Sequence, residues 1–222
     1  MTNPNLTEII CIVDRSGSMD YIRDDAIGGF NTFLKEQQAL KVDRCLLTFA
    51  QFDDVYEVIH DGARIEDVPP LTHETFEPRG STALLDAIGK TINTVGQRLA
   101  KTPEENRPGA VVVVILTDGN ENSSKEFDRQ KIFDMITKQR EEYNWEFVFL
   151  AANQDAIQVG GMLGINHAAN FSPNAAGVQG TYKGVSSSVG SYRSTKCSAD
   201  LSVADSVIPD PNQSGVSGRI KT

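Results

Sequence analysis

Oxygen-bearing side chains follow the first strongly apolar stretch of this chain. Residues 9–13 contain no polar side chain, and Asp14, Ser16 and Ser18 then follow at alternate positions. A carboxylate and two hydroxyls are hard oxygen donors, and Gly17 allows the backbone to bend so that both hydroxyls point to one place. This spacing predicts half of an oxygen cage for a hard divalent cation.

A rigid element must hold these donors, and the apolar stretch before Asp14 supplies one. An unbroken apolar run is typical of a strand buried on both faces of a parallel sheet. Residues 111–116 form a second such run, which leads into Thr117 and Asp118. Open α/β sheets bind ligands at the carboxyl ends of their strands, so Asp14 and Asp118 are predicted at the same edge.

A third oxygen-rich loop lies between these two strands. Gly80, Ser81 and Thr82 are small residues that precede a pattern of apolar residues at helical spacing, which includes Leu85 and Ile88. We therefore predict that three loops converge at one end of one sheet.

In these segments the chain resembles the von Willebrand factor A (vWA) domain family. The residues that match the five positions of that family's metal-ion-dependent adhesion site (MIDAS) are Asp14, Ser16, Ser18, Thr82 and Asp118. The resemblance extends over roughly residues 7–190. It implies that the three hydroxyls coordinate the metal and that the two aspartates act directly or through water.

The alternation of predicted strands and helices indicates a doubly wound, Rossmann-like α/β fold with helices on both faces of the sheet. A tight turn at Asp53 and Asp54 implies one antiparallel edge strand in a mostly parallel sheet. The family resemblance implies six strands in the order 3-2-1-4-5-6. We expect one vWA domain over residues 1–193 and a polar, partly disordered tail over residues 194–222.

The resemblance also implies a function, which is metal-dependent protein binding without enzymatic activity. The expected cofactor is Mg²⁺, with Mn²⁺ or Ca²⁺ as alternatives, and the expected partner is a protein that supplies a Glu or Asp carboxylate to the metal. The pattern is that of an intracellular prokaryotic or phage-type member of the family.

A Mg²⁺-dependent phosphohydrolase is the alternative. Haloacid-dehalogenase-like phosphatases also begin with an Asp at the tip of the first strand, followed two residues later by an acid/base Asp. Ser16 stands at that second position, so Asp14 would lack the proton carrier of that reaction. Three other polar residues, Arg79, Glu121 and Asn122, are predicted to be solvated loop residues. The alternatives are that Arg79 pairs with an acid or steers a carboxylate and that Glu121 and Asn122 line the rim of the site.

Composition restricts the partners and the compartment. The formal net charge of −9 disfavours nucleic acids and anionic membranes. The three cysteines form no disulfide pattern, and residues 1–5 do not have the composition of a signal peptide. No apolar run approaches the ~18 residues that a membrane span requires. These features together predict a cytoplasmic protein.

Overall fold

The computed structural model describes residues 1–152 and 155–203. Within these residues six strands and five α-helices follow one another, and they alternate except where two strands are consecutive. In order they are β1 (Asn3–Asp14), α1 (Arg23–Ala39), β2 (Arg44–Phe52), β3 (Tyr56–Arg64), α2 (Leu84–Lys101), β4 (Pro108–Thr117), α3 (Arg129–Tyr143), β5 (Trp145–Ala151), α4 (Ala156–Met162), β6 (His167–Asn170) and α5 (Ala175–Thr195). A short 3-10 helix, Gly17–Ile22, connects β1 to α1.

The sheet has the predicted topology. Its strand order is β3-β2-β1-β4-β5-β6, and every pairing is parallel except that of β2 with β3. The chain passes from β1 to β2 on one side and later returns to β4 on the other side. The loops after β1 and β4 therefore diverge from neighbouring positions, which creates a crevice at the carboxyl ends of these strands.

Alternate residues of the buried strands pack against different layers of helices. Ile9, Cys11 and Val13 of β1 belong to a core with α1 and α5, whereas Ile10 and Ile12 belong to a core with α2 and α3. All five are at most 3% exposed. Burial of each such side chain stabilises the fold by about 1.5–3 kcal/mol, so the end of β1 is a rigid support for Asp14.

Some predicted boundaries are wrong, and the start of α3 is the clearest example. The polar run of residues 120–124 and the capping preference of serine predict a helix from about Lys125 to Tyr143 with Ser123 or Ser124 as its N-cap, but α3 begins at Arg129. Its N-cap is Asp128, whose carboxylate accepts a 2.8 Å hydrogen bond from the amide of Lys131. Residues 118–127 instead form a long loop at the carboxyl end of β4.

The last described residues pack against the body of the protein. Helix α5 extends to Thr195, and Leu201 is fully buried in the same core as Tyr192 of α5. Most of the predicted tail, residues 204–222, lies outside the described residues. Within residues 1–152 and 155–203, no helix is both long enough and apolar enough to cross a membrane.

Candidate metal centre

The carboxylate of Asp14 is held in one orientation at the end of β1. One of its oxygens accepts a 2.7 Å hydrogen bond from the amide of Ser16, and the other accepts a 2.5 Å bond from the hydroxyl of Thr117. Asp14 is fully buried. Its geometry is therefore set by the turn that follows β1 and by the last residue of β4.

The two serines connect the β1 loop to the β4 loop. The hydroxyl oxygens of Ser16 and Ser18 lie 3.1 Å apart, and the Ser18 hydroxyl donates a 2.6 Å hydrogen bond to Asp118. Ser16 and Asp118 are buried, whereas Ser18 is exposed. A chain of oxygen atoms therefore runs from the interior to the surface.

Gly119 marks the point at which the three loops meet. A β-carbon built at this glycine would lie 2.9 Å from Thr82 Oγ1, 3.5 Å from Ser18 Oγ and 3.8 Å from Asp14 Oδ2. Asp14 and Ser18 belong to the segment that follows β1 and Thr82 to the loop before α2, and their oxygens surround a residue of the third loop, which follows β4. The five predicted residues are thus brought together, and two carboxylates with three hydroxyls form a donor set that suits a hard divalent cation.

The electrostatics of this site favour a bound cation. Burial raises the pKa of Asp14 to about 6, although hydrogen bonds from Thr117 and Ser16 oppose the shift. Burial also raises the pKa of Asp118, against the effect of hydrogen bonds from Ser18 and Tyr21. Two neighbouring carboxylates removed from water lose hydration, and a divalent cation would compensate their charge.

Softer metals do not suit these donors. Among residues 1–152 and 155–203, no group of three or more His, Cys, Asp or Glu side chains is arranged to hold a metal ion. Hydroxyl and carboxylate oxygens suit a hard divalent cation better than a metal that prefers imidazole or thiolate ligands.

Asn122 fixes the position of Thr82. The backbone amide of Thr82 donates a 2.9 Å hydrogen bond to the side-chain oxygen of Asn122, and the backbone amide of Asn122 donates a 3.1 Å bond to the Thr82 carbonyl. Asn122 is an exposed loop residue, as predicted, but it also has a structural role that the sequence did not indicate. It joins the loop that carries Asp118 to the loop that carries Thr82.

The same β4–α3 loop caps helix α2, whose N-cap residue Ala83 makes no side-chain cap of its own. Glu121 accepts a 2.9 Å hydrogen bond from the amide of Leu85, and Ser124 accepts a 3.0 Å bond from the amide of Asp86. Glu121 also accepts bonds from the amides of Ser123 and Ser124 and from the Ser124 hydroxyl, at 2.7 to 2.9 Å. It was predicted to be a solvated residue, but it is a structural acceptor.

Asp86 anchors the far end of this loop. Its carboxylate accepts hydrogen bonds of 2.9 to 3.0 Å from the three successive amides of residues 125–127. Burial alone would raise the pKa of Asp86, but these three bonds outweigh it and the pKa is lowered. These contacts join residues about 40 positions apart, and no local sequence signal indicates them.

Two arginines and Asp53 form an ion-pair network near the loops that carry Ser16 and Thr82. The buried guanidinium of Arg15 and the half-exposed guanidinium of Arg79 donate bonds of 3.0 and 2.9 Å to the same oxygen of Asp53. Arg79 therefore pairs with an acid, which was the alternative to the predicted surface solvation. The adjacent Gly80 has a φ of +66°, and a β-carbon there would lie 2.0 Å from a carboxylate oxygen of Asp54, so this turn requires glycine.

Comparison with solved structures identifies the fold as vWA-like. The PilB minor pilin from Streptococcus sanguinis matches with a TM-score of 0.60 and 11% identity over 85% of this chain and 62% of that chain. A von Willebrand factor type A protein from Catenulispora acidiphila matches with a TM-score of 0.53 and 14% identity over 86% of this chain and 43% of that chain.

A third match concerns the metal centre. Proximal thread matrix protein 1 from the mussel byssus, with a zinc-occupied MIDAS motif, matches with a TM-score of 0.55 and 13% identity over 82% of this chain and 47% of that chain. This chain thus spans between 43% and 62% of the length of these proteins. No family model and no curated protein matches the sequence.

Proposed function

We propose that this protein is a metal-dependent protein-binding module whose divalent cation, Mg²⁺, is held by Asp14, Ser16, Ser18, Thr82 and Asp118. The observation that carries this proposal is that oxygens of Asp14, Ser18 and Thr82 surround Gly119 and that Ser18 is hydrogen-bonded to Asp118 of the third loop. The zinc-occupied MIDAS of a protein with the same fold supports the choice of a divalent cation. Mn²⁺ and Ca²⁺ share the preference for oxygen donors and are suitable substitutes in experiments.

The cation would supply an electrophilic site for a carboxylate of a partner protein. Three of its ligands would be neutral hydroxyls, which leave more of its positive charge uncompensated than carboxylates would. The centre reaches the surface near Ser18 and Asn120, which are exposed, whereas Asp14, Thr82 and Asp118 are at most 3% exposed. We expect a Glu or Asp of the partner to approach from the exposed side.

We propose binding without catalysis. Both oxygens of Asp14 already accept short hydrogen bonds from Ser16 and Thr117, so its carboxylate is oriented as a support and not as a free nucleophile. Ser16, two residues later, has no titratable proton for a leaving group at neutral pH. Sustained, Mg²⁺-dependent turnover of a phosphate ester that is lost in Asp14→Asn would contradict this part of the proposal.

We also propose a cytoplasmic location. Cys11 and Cys45 are buried and unpaired, and Cys197 is exposed and unpaired. Burial raises the pKa of Cys45 to about 12, which keeps its thiol protonated and unreactive. Free thiols are typical of a reducing compartment. Fractionation of cells that produce the protein would test this location, and recovery outside the cytoplasm would contradict it.

Calorimetric titration with Mn²⁺ tests the metal centre itself. Ser18→Ala removes one predicted ligand, and Ser191→Ala is a matched control because Ser191 is exposed on α5, away from the site. We expect weak binding by the wild type and the control, and about a 10- to 100-fold weaker affinity in Ser18→Ala. Equal affinities in all three proteins would contradict the proposed ligand set.

A further inference from the structure

A small apolar pocket borders the metal centre. It lies between the start of α2, the β4–α3 loop and helix α4, and its apolar lining is formed by Leu84, Leu85, Val159, Met162 and Leu163. Leu84 and Leu85 are buried, but Met162 is 49% exposed at the surface. The pocket therefore presents apolar surface that an incoming side chain can cover.

The pocket and the metal centre share two loops. Leu84 follows Thr82 by two residues, and Asn120, which also lines the pocket, follows Asp118 by two residues. The pocket is therefore adjacent to the metal centre along both loops, within reach of a partner segment that places a carboxylate at the metal.

The two charged residues that line the pocket, Glu121 and Arg129, differ in whether they have partners. The carboxylate of Glu121 is held within the loop by hydrogen bonds from three amides and one hydroxyl. Arg129, the first residue of α3, is exposed at the pocket, and its guanidinium makes no hydrogen bond or salt bridge with any residue that the structure describes. The pocket thus has an apolar wall and an available cation, and the oxygens of its one carboxylate are already used as hydrogen-bond acceptors.

We infer that this rim pocket, together with the metal centre, binds an acidic segment of a partner protein. One carboxylate of the segment binds the metal, an apolar side chain beside it enters the pocket, and a second carboxylate pairs with Arg129. The inference rests on the proposed function, because the first of these contacts needs the metal. The charge of Arg129 favours an acidic segment over a basic or purely apolar one.

Selection from a displayed library of random peptides with a fixed central Asp tests this inference. The full chain is the target, binding is selected in Mg²⁺, and peptides that still bind in EDTA are discarded. We expect the enriched peptides to carry an apolar residue and a second acidic residue near the fixed Asp.

Two variants and two matched controls then test the pocket directly. Met162→Lys and Arg129→Glu alter the pocket at exposed positions, while Ile157→Lys and Lys138→Glu make equivalent changes at exposed positions of α4 and α3 that do not line it. We expect the selected peptides to bind about tenfold more weakly to each pocket variant and equally well to the controls. Thermal unfolding of all four verifies that the fold is retained.

The possible results separate the two proposals. Mg²⁺-dependent peptides that bind the pocket variants as tightly as the wild type would overturn the rim pocket but support the metal-dependent function. A selection in which no peptide depends on Mg²⁺ would overturn both.

Discussion

Replacement of Gly119 by alanine is expected to weaken metal binding without unfolding the protein. The new β-carbon would lie 2.9 Å from Thr82 Oγ1, which is closer than a methyl group and a hydroxyl can pack, and would enter the space between the predicted ligands. The Thr82 side chain must therefore move, and its hydroxyl leaves the donor set. Because Gly119 is not among the glycines with positive φ, its backbone accepts alanine without strain.

The effect of Gly119→Ala on folding stability is expected to be small, because the cost of moving Thr82 and the entropic gain from replacing glycine oppose each other. A Thr82 side chain forced away from its preferred rotamer costs about 0.5–1.5 kcal/mol. Loss of glycine from the unfolded chain stabilises the native state by about 0.4–1 kcal/mol. The net change is within about 1 kcal/mol. Disturbance of one ligand should raise the Kd for Mn²⁺ by about 10- to 100-fold.

Calorimetric Mn²⁺ titration and urea unfolding measure the two quantities separately. Gly96→Ala is the matched control, since Gly96 lies within α2 and a β-carbon there meets nothing within 4 Å. It should bind Mn²⁺ normally and be more stable by about 1 kcal/mol. Unchanged Mn²⁺ affinity in Gly119→Ala would refute the position assigned to the cation, and an unfolded variant would refute the packing argument.

Three further substitutions test the supports of the site and the core. Asn122→Ala removes the acceptor of the Thr82 amide, and calorimetry should show about tenfold weaker Mn²⁺ binding. The pKa of Asp86 lies below its ordinary value of 3.8, so the ionised carboxylate stabilises the folded protein above pH 3.8, and this stabilisation is lost as the pH falls through the lower pKa of the folded state. Asp86→Asn should therefore destabilise the protein at pH 7 and differ less from the wild type in acid. Urea unfolding at both pH values measures the difference. Leu201→Ala should cost about 2–5 kcal/mol in the same assay, because Leu201 is fully buried.

The elements that build the core were predictable from local sequence. The unbroken apolar runs of β1 and β4 indicate buried parallel strands, and a turn at Asp53 and Asp54 indicates the antiparallel edge. The positions of Asp14 and Asp118 follow from these runs, because each residue comes at the carboxyl end of its strand. The candidate ligands were therefore accessible from sequence.

The hydrogen bonds and ion pairs that hold the loops of the site in place were not predictable from local sequence. The start of α3 was misplaced because the amides of residues 125–127 bind Asp86, a contact that helix-start patterns do not encode. Arg79 and Asn122 were interpreted as solvated residues, but Asp53 and Thr82 are their partners across 26 and 40 positions of the chain. Such pairs become visible only when the folded chain brings distant loops together.

The location of a bound cation tests the central claim most directly. Crystals of the protein grown with Mn²⁺ would give an anomalous scattering peak at each bound ion. The proposed function predicts a peak among the side-chain oxygens of Asp14, Ser16, Ser18, Thr82 and Asp118, next to Gly119. A structure in which Mn²⁺ binds elsewhere, or in which these oxygens surround no peak at saturating Mn²⁺, would contradict it.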